Sequence, residues 1–290
     1  MTQVKVVLED LVSRFSGAGI ISALAEAELV VGHVANWNRG EVASKAFIGA
    51  ELSEAQLVEI EKIVLRRLTR EPLQHILGTA PFRNLVLEVG PGALVPRPET
   101  ELAAELAIEA LRQVPREEPV AVDLGTGTGA LALSLATEVR NSVVYAVELS
   151  PAAHAIAKVN IERLGEGRVT LALGDAVNSF PHLDGTVDVV VANPPYLVDE
   201  EIPEDIEVSM HEPALALYGG EDGLRDITSF LQTAARLLRG GGTVVMEHGE
   251  NQGSAVREIA TASGFRMTAT HRDLLHRDLS LIHISEPTRH

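Results

Sequence analysis

The sequence predicts an α/β protein in which a doubly wound, mostly parallel β-sheet follows a small N-terminal helical bundle and a linking β-hairpin. Three observations support this fold class. From Val120 onwards, short apolar runs rich in Val and Ala alternate with helix-like segments, as parallel sheets covered on both faces require. The first run leads directly into a glycine-rich turn, "GTGTG". Residues 1–75 instead space their apolar residues three and four apart, which is typical of amphipathic helices.

The composition of the 290 residues sets further limits: 46% are hydrophobic but only 3% aromatic, so the core must consist mainly of Ala, Val, Leu and Ile. Cys is absent, which excludes disulfides and thiolate metal sites, and we predict no metal site of another kind. No apolar run approaches the ~20 residues of a membrane span. The first residues, "MTQVKVVLEDLVS", lack the basic and apolar regions of a signal peptide. We therefore expect a cytoplasmic protein with no membrane partner.

The formal net charge is −17, from 24 basic and 41 acidic residues. A protein that grips DNA or RNA through the phosphate backbone needs the opposite sign of charge. The charge balance therefore argues against a direct nucleic-acid substrate, although it leaves room for a local basic patch.

The N-terminal domain, residues 1–75, is predicted to be helical. The segments "LAEAELVVGHVANW" and "SEAQLVEIEKIVLRRLTR" carry the helical spacing, and Ser53 with Gln56 fits a capping box for the second one. Gly17, Gly19 and Gly49 mark breaks between helices. On these residues alone, we interpret the domain as a helical bundle with no chemistry of its own.

Residues 76–118 are predicted to link this domain to the sheet. "APFRNLVLEV" predicts a short hairpin, a proline-stiffened loop "GPGALVPRPETE" follows, and "PREEP" ends a helix. Residues 119–278 then form the alternating domain. Its predicted strands are "VAVDL", "SVVYAVE", "RVTLALGD", "TVDVVVANPPY", "TVVMEHG" and "FRMTAT". Its predicted helices are "ALALSLATEV", "PAAHAIAKVNIERLG", "GLRDITSFLQTAARLLRGGG" and "NQGSAVREIATASG". Ligands of such sheets bind at the carboxyl ends of the strands.

The glycine-rich turn "DLGTGTG" indicates a nucleotide-like cofactor. Glycines let a ligand approach the backbone closely, and the following helix N-terminus favours polar or anionic groups. Glu148 ends the second strand about 20 residues later, where an acid suits ribose hydroxyls. S-adenosyl-L-methionine requires a G-x-G-x-G turn after a strand that bears an Asp, which is what stands here. Residues 127–132 satisfy a dinucleotide fingerprint loosely, so a nicotinamide or flavin, or a purely structural turn, stays open.

Two residues at the end of the third predicted strand are candidates for contact with the cofactor's adenine. Asp175 could accept a hydrogen bond from the adenine amino group, with the backbone of Ala176 beside the ring. An Asp that caps a turn or a short helix is nearly as good an explanation on local grounds.

The fourth strand ends in Asn193-Pro194-Pro195-Tyr196, and this motif resembles that of methyltransferases that alkylate planar nitrogens. Their substrates are N6-adenine, N4-cytosine, N2-guanine and protein glutamine amides. The lone pair of such a nitrogen is delocalised, so the site must hold both N–H bonds and direct the lone pair at the methyl group. The Asn193 side-chain carbonyl and the Pro194 main-chain carbonyl could accept these bonds and stabilise the developing positive charge. The prolines fix where the carbonyls point, Tyr196 can pack on the planar group, and positioning supplies most of the rate.

Other segments resemble the peptide-chain release factor glutamine methyltransferases. Residues 71–102 resemble the family's linker and hairpin, and "AEAELVVGHV", "HEPALALYGGEDGL" and "GGGTVVMEHGENQG" resemble further parts of it. The resemblance runs from about residue 10 to Leu274. It implies a class I S-adenosylmethionine-dependent, Rossmann-like methyltransferase. The implied reaction is methyl transfer to the side-chain amide nitrogen of the glutamine in the Gly-Gly-Gln motif of class 1 release factors.

The same resemblance assigns roles to residues of this chain. The helical domain would dock the release factor, and Asn193, Pro194 and Tyr196 would be catalytic. The substrate glutamine would be held by Asn193, Pro194, Pro195 and Tyr196. The cofactor would be bound by Gly125, Thr126, Gly127, Thr128, Gly129, Glu148, Asp175, Ala176 and Asn193. Arg97 and Glu99, on the proline-stiffened loop, have either a supporting role at the cleft or a structural one.

Three alternatives to this function remain open. The substrate could be a glutamine of a ribosomal protein or an exocyclic amine of a base, although the acidic charge balance opposes the latter. The chain could also be a factor-binding protein that holds the methyl donor and turns over poorly. The acidic segment "DEEIPEDIE" could meet a basic surface of a release factor or form a solvated loop.

The C-terminal segment departs from the family pattern. After "HRDL" the family continues into a final strand, and no such strand is predicted in "LHRDLSLIHISEPTRH". Residues 279–289 resemble a translated transposon end from a sequencing library, so we predict that residues 279–290 are a non-native tail. A sheet without its last antiparallel strand would expose an unpaired edge.

Overall fold

The computed structural model describes residues 1–203, 205–272 and 278–284, the last of these as backbone. The chain divides into two units. The helical unit comprises Met1–Gly78 together with Pro203–His211, and the sheet unit comprises Thr79–Ile202 and Glu212–His290. The prediction did not anticipate that residues 203–211, which follow the Asn-Pro-Pro-Tyr motif, pack with the N-terminal helices.

The helical unit is built as its apolar spacing predicts. Its helices are α1 (Val4–Gly17), α2 (Ala23–Ala35), α3 (Arg39–Phe47), α4 (Glu54–Leu68), α5 (Leu73–Leu77) and α9 (Ile206–His211), beside the short antiparallel strands β1 (Thr2–Gln3) and β2 (Glu51–Leu52). Phe15, Val31 and Val64 are fully buried between the helices. The predicted capping box is confirmed, because Gln56 N donates to Ser53 Oγ at 3.3 Å and Ser53 N donates to Gln56 Oε1 at 2.9 Å.

A buried arginine of α4 holds residues 203–211 in the helical unit. Arg67 is only 4% exposed, and its Nε donates to Glu26 Oε2 at 2.5 Å. Its Nη2 lies 2.7 Å from Glu207 Oε1, and Arg70 Nη2 lies 2.7 Å from Glu207 Oε2. Glu207 belongs to the acidic segment that was expected to face a partner or solvent. The structure instead ion-pairs it inside the unit, while Glu204 of the same segment lies outside the described residues.

The sheet unit contains a seven-stranded sheet. Its strands are β5 (Val120–Leu124), β6 (Val143–Glu148), β7 (Val169–Leu173), β8 (Val187–Ala192), β9 (Leu238–Glu247), β10 (Met267–Arg272) and β11 (Asp278–Ile284). Their order across the sheet is β10-β11-β9-β8-β5-β6-β7. The pairs among β5, β6, β7, β8 and β9 are all parallel, which confirms the predicted mostly parallel sheet.

Helices cover both faces of the sheet, which confirms double winding. One buried cluster joins the strands to α6 (Thr100–Arg112) and α7 (Ala130–Glu138), with α8 (Pro151–Leu164) beside them. The other joins them to α10 (Arg225–Leu237) and α11 (Gly253–Ala262). Strands such as β8 are buried at every position, as a sheet covered on both faces requires.

Two local predictions are settled by strand pairing. The predicted hairpin is confirmed as β3 (Thr79–Phe82) and β4 (Leu85–Glu88), which pair antiparallel. The helix "GLRDITSFLQTAARLLRGGG" was expected to end at its glycines, but α10 ends earlier, at Leu237. The glycines lie within β9, because that strand already pairs with β8 at Leu238.

The expectation that the sheet lacks its last antiparallel strand is wrong. Residues 278–284 form β11, which pairs antiparallel with β9 on one side and with β10 on the other. Backbone ladders need no particular side chains, and "LSLIHI" is rich in residues that favour strands. The pairing does not address whether residues 279–290 are a non-native tail, which stays a prediction, and residues 285–290 lie outside the described ones.

Within the described ranges, no helix has both the length and the apolar character that a membrane crossing demands.

Candidate active site

A cavity of ≈ 410 Å³ opens at the carboxyl ends of the parallel strands. It lies entirely within the sheet unit. Of the predicted site residues, it is lined by Gly125, Thr126, Gly127, Thr128, Glu148, Asp175, Ala176, Asn193 and Pro195. Three others, Gly129, Pro194 and Tyr196, do not line it. The structure therefore brings most of the predicted cofactor residues and two residues of the Asn-Pro-Pro-Tyr turn to one space.

The glycine-rich turn borders the cavity as a tight, backbone-bonded loop. The N–H groups of Gly125 and Thr126 both donate to Val147 O at 3.0 Å, so the turn is fastened to the neighbouring strand β6. Gly125, Gly127 and Gly129 all have positive φ, which favours glycine at these positions. A Cβ at Gly127 would meet no atom within 4 Å, so this part of the turn faces open space.

A buried carboxyl group below the turn fixes its shape. Asp123 is fully buried at the end of β5, and its Oδ2 accepts from Thr126 Oγ1 at 2.5 Å and from Ala132 N at 3.0 Å. Burial raises the pKa of Asp123 to about 7, and the charge of Glu148 acts in the same direction. The group thus ties the end of the strand to the turn and to the start of α7, and it does not line the cavity.

Glu148, the last residue of β6, presents a carboxylate at the cavity wall. Its Oε2 accepts from Gly127 N at 2.8 Å and its Oε1 from Ser150 N at 2.7 Å. Burial raises its pKa, while these backbone hydrogen bonds oppose that shift. Each carboxylate oxygen has two lone pairs, so the group keeps the capacity to accept from hydroxyl groups of a ligand.

Asp175 caps a short turn and borders the cavity at the same time. Its Oδ1 accepts from Val177 N at 2.9 Å, which starts the 3₁₀ turn Ala176–Asn178. The capping role that local grounds allowed is therefore present, and the contact with adenine stays a prediction. Ala176 is buried beside it.

Strand register brings Asn193 next to an acid that the sequence analysis did not select. Ala192 of β8 pairs with Met246 of β9, so the residues that follow, Asn193 and Glu247, stand side by side at the carboxyl ends. Asn193 Nδ2 donates to Thr100 Oγ1 at 3.2 Å. Thr100 begins α6, which packs against both strands.

Tyr196 turns away from the cavity rather than towards a planar substrate group. Its hydroxyl donates to Glu247 Oε1 at 3.3 Å, and its ring packs against the buried cluster beside α10 and α11. Burial raises the pKa of the Tyr196 phenol, and the charge of Glu247 raises it further. Its position fits a role in fixing the turn, whereas contact with a substrate would require Tyr196 to move.

Glu247 is the most deeply buried acid beside the Asn-Pro-Pro-Tyr turn. It is 1% exposed, and its Oε2 has no direct hydrogen-bond partner among the described residues. Burial raises its pKa to about 7, and the charge of Glu99 also raises it. The hydrogen-bonding groups of Thr100, Tyr196 and Asn193 lower the same pKa.

Two glycines and a glutamine clamp the Asn-Pro-Pro-Tyr turn from outside. Gln252 Nε2 donates to Tyr196 O at 3.0 Å, and Gln252 Oε1 accepts from Gly249 N at 2.8 Å. A Cβ at Gly219 would lie 2.6 Å from Pro195 O, and one at Gly223 would lie 2.3 Å from Tyr196 O. The segments "YGGEDG" and "ENQG" entered the sequence analysis through resemblance alone, and nothing local in them indicates this contact.

Arg97 and Glu99 lie on the loop before α6. Arg97 lines the cavity, and its Nη2 lies 3.1 Å from Glu212 Oε1. The carboxylate of Glu212 also accepts from Val95 N at 3.3 Å, so it anchors the loop at two points. Arg97 therefore supports the cavity wall through Glu212, and a supporting role of Arg97 and Glu99 at the cleft stays a prediction.

Comparison with known proteins gives matches along most of the chain. The PrmC N-terminal domain family matches residues 7–78, and a methyltransferase domain family matches residues 121–207. The release factor glutamine methyltransferase of Streptomyces coelicolor is 45% identical over 91% of this chain and 92% of its own length. The protein of that name from Bifidobacterium longum is 38% identical over 94% and 96%. A 4-amino-L-phenylalanine/4-methylamino-L-phenylalanine methyltransferase of Streptomyces pristinaespiralis is 37% identical over 89% and 87%.

Proposed function

This chain belongs to the release factor glutamine methyltransferase family, and from that premise we propose which reaction it catalyses. It transfers a methyl group from S-adenosyl-L-methionine to the side-chain amide nitrogen of a glutamine. That glutamine lies in the Gly-Gly-Gln motif of class 1 peptide chain release factors. The helical unit docks the release factor, and its exposed apolar side chains Ile21, Phe47 and Ile48 support that role.

One observation carries the proposal. Asn193 lies on the same cavity as the glycine-rich turn and Glu148, and its Nδ2 donates to Thr100, which also lines the cavity. The amide oxygen of Asn193 is then left to accept from an N–H group that enters the cavity. An acceptor beside a cofactor-sized space is what methyl transfer to a planar nitrogen requires.

The residues that line the cavity fit the methyl donor. The space of ≈ 410 Å³ lies within the range of small-ligand pockets, and the turn at Gly127 leaves room for close approach. The Glu148 carboxylate would accept from the ribose hydroxyls, and Asp175 with Ala176 would border the adenine. When bound, the donor supplies a methyl group on a positively charged sulfur, which becomes a neutral thioether once the methyl group leaves.

The chain's own residues act mainly by position and by charge. The Asn193 side-chain oxygen and the Pro194 main-chain oxygen would accept the two N–H bonds of the substrate amide, which aims its lone pair at the methyl group. These oxygens also stabilise the positive charge that grows on the nitrogen. Gln252 holds the turn in place by donating to Tyr196 O, and Gly223 leaves space for that oxygen because it has no Cβ. The methylated amide then loses a proton to solvent.

A second candidate substrate is an aryl amine. The Streptomyces pristinaespiralis relative, whose name specifies an amino-phenylalanine, resembles this chain over most of both lengths. An aryl amine is also a planar nitrogen with a delocalised lone pair, so the same acceptors would serve it. A glutamine of a ribosomal protein and an exocyclic base amine present the same chemistry to the cavity.

The test is transfer from isotope-labelled S-adenosyl-L-methionine to a purified class 1 release factor. We expect label on the glutamine of Gly-Gly-Gln, located by mass spectrometry of the peptide, and none on a release factor in which that glutamine is Ala. Parallel reactions with 4-aminophenylalanine, ribosomal proteins and an oligonucleotide separate the alternatives. Label on one of these and none on the release factor would refute the proposal.

Replacement of the acceptor provides the matched variant. Asn193→Ala removes one of two acceptors at the reacting nitrogen, so kcat is expected to fall about 100-fold or more. Asn178→Ala, which removes an amide from a turn residue that does not line the cavity, should leave the rate unchanged. Equal rates for wild type and Asn193→Ala would contradict the assigned role.

A further inference from the structure

The Asn193 amide is backed by a short chain of polar groups that leads into the protein. Asn193 Nδ2 donates to Thr100 Oγ1 at 3.2 Å. The hydrogen-bonding groups of Thr100 and of Asn193 itself lie near the Glu247 carboxylate, and both lower its pKa. Tyr196 closes the chain from the other side, because its hydroxyl donates to Glu247 Oε1 at 3.3 Å.

The buried Glu247 carboxylate sets the direction in which the hydrogen bonds of Thr100 and Asn193 run. An ionised carboxylate only accepts hydrogen bonds, whereas a hydroxyl donates one proton and accepts through its lone pairs. If the Thr100 proton points at Glu247, the Thr100 oxygen is left as an acceptor, and the Asn193 group that it faces must be the NH₂. The unpartnered Glu247 Oε2 leaves room for that proton to turn towards the carboxylate.

We propose that Thr100 and Glu247 are positioning residues that fix the orientation of the Asn193 amide and so turn its oxygen towards the substrate nitrogen. The inference rests on the proposed function. The two ends of an amide have nearly the same shape, so packing alone selects poorly between the two orientations, and hydrogen bonding must decide. In the reverse orientation, NH₂ would face the NH₂ group of the substrate, and neither could accept.

The burial of Glu247 limits which groups can donate to its carboxylate. Glu247 is 1% exposed at the carboxyl end of an inner strand, and water beside it would satisfy the carboxylate without holding Thr100. A buried acid whose nearest polar groups are a hydroxyl, a phenol and an amide can reach full satisfaction only by accepting from them. The burial of Glu247 therefore favours the arrangement in which the neighbouring groups donate to its carboxylate.

Thr100 offers a matched pair of variants. Thr100→Ser keeps the hydroxyl, whereas Thr100→Val keeps the branched shape and removes it. We expect Thr100→Ser to retain kcat and Thr100→Val to lower it about 10- to 100-fold, because a small misplacement of a positioning group costs this much. Glu247→Gln, which introduces a donor where only acceptors fit, should lower kcat to a similar degree. KM for the release factor and affinity for S-adenosylhomocysteine, measured by calorimetry, should stay unchanged in all three.

A second readout reports orientation without catalysis. In protein made with isotope-labelled asparagine, the Asn193 side-chain NH₂ signal, assigned by its loss in Asn193→Asp, should be protected from solvent exchange. The protection should persist in Thr100→Ser and disappear in Thr100→Val and Glu247→Gln.

Each outcome bears on the inference separately from the proposed function. Full kcat in Thr100→Val and in Glu247→Gln would overturn the inference and leave the proposed function intact. Loss of kcat together with loss of S-adenosylhomocysteine binding or of thermal stability would also overturn it, in favour of a merely structural role. If the wild-type chain transfers no methyl group to a release factor, the proposed function fails and the inference fails with it.

Discussion

Single residues around the cavity owe their properties to burial. Asp123 and Glu247 are both nearly inaccessible, and burial raises the pKa of each to about 7. A buried carboxylate is tolerated when neighbouring groups donate hydrogen bonds to it, and each of these acids accepts at least one such bond. Asp123 shapes the glycine-rich turn, and Glu247 stands behind the Asn-Pro-Pro-Tyr turn.

The titration of Glu247 predicts how the reaction depends on pH. The titratable and charged groups that act on it are Tyr196 and Glu99, and Arg97 acts on Tyr196. Above pH about 7 the carboxylate is ionised and only accepts, and below that pH a proton makes it a donor. We therefore expect kcat of the wild type to fall as the pH drops through about 7.

Rate measurements between pH 5.5 and 8.5, roughly 1.5 units on either side of that value, test this expectation. In Glu247→Gln the acidic fall should be absent, although the overall rate is lower. The same raised pKa predicts that ionisation of Glu247 makes folding less favourable as the pH rises from the ordinary value of 4.5 to about 7. If kcat of Glu247→Gln falls by the same factor at acidic pH, the fall belongs to the titration of another group.

Gly223 provides a further test at the residue scale. It has a φ of +70°, and a Cβ there would lie 2.3 Å from Tyr196 O and 2.6 Å from Gln252 Nε2. Gly223→Ala should displace the Asn-Pro-Pro-Tyr turn and lower kcat about 100-fold. Gly167→Ala is the control, because Gly167 has a similar φ of +76° but no atom within 4 Å of the added Cβ. Equal kcat values for the two variants, measured with the release factor, would show that the clamp does not act on the reaction.

The positions of site residues relative to strands and helices decide which of them can be predicted from the sequence. Gly125, Glu148 and Asn193 directly follow or end apolar strands, and parallel strands bring their carboxyl ends to one edge, so their meeting could be predicted. Glu247 meets the same criterion, because it ends the parallel strand β9, whereas Thr100 and Gln252 could not be found in this way. Thr100 is 93 residues from Asn193, and only the packing of α6 on β8 and β9 joins them.

Strand β11 could not be predicted from the family pattern. That pattern specifies side chains, whereas the structure fills the position between β9 and β10 through backbone pairing. Residues 278–284 pair on both sides and include residue types that favour strands, so the departure from the family pattern at Leu279 and beyond does not leave β9 unpaired.

The position of β11 between two strands predicts a strong effect of proline. Each N–H group of an inner strand faces one neighbour or the other, so Ile282→Pro must remove a ladder hydrogen bond. The free energy of unfolding should fall by about 2 kcal/mol or more, measured by urea denaturation. Ile282→Val keeps both the N–H group and a β-branched side chain, and should unfold close to wild type. A proline variant as stable as wild type would mean that β11 adds nothing to the sheet.

The polypeptide leaves the sheet unit after the Asn-Pro-Pro-Tyr turn, contributes one segment to the helical unit and then returns to the sheet unit. Residues 203–211 begin seven positions after Tyr196, belong to the helical unit and hold Glu207 between Arg67 and Arg70. Burial opposes ionisation of Glu207, but its hydrogen bonds lower its pKa to about 2. The order of this segment therefore depends on side chains of the helical unit.

Removal of the buried arginine tests this dependence. Arg67→Met leaves Glu26 and Glu207 without their shared partner, which should cost about 3 kcal/mol of stability in the helical unit. Cleavage by a glutamate-specific protease at Glu207 should become faster, as followed by mass spectrometry. Arg66→Met is the control, because Arg66 is half exposed and pairs only with Glu71 among the described residues. If both variants are cleaved at the wild-type rate, the ion pairs do not hold the segment.

The interior position of β11 also constrains how the protein is made. A ribosome delivers residues 238–247 and 267–272 before residues 278–284, yet the last of these segments lies between the other two in the finished sheet. Strand β10 pairs with β11 and with no other described strand, so it has nothing to join until residue 284 has emerged. The five parallel strands can assemble during translation, but that edge must wait, and for this interval the nascent chain exposes the side of β9 to which β11 will bind.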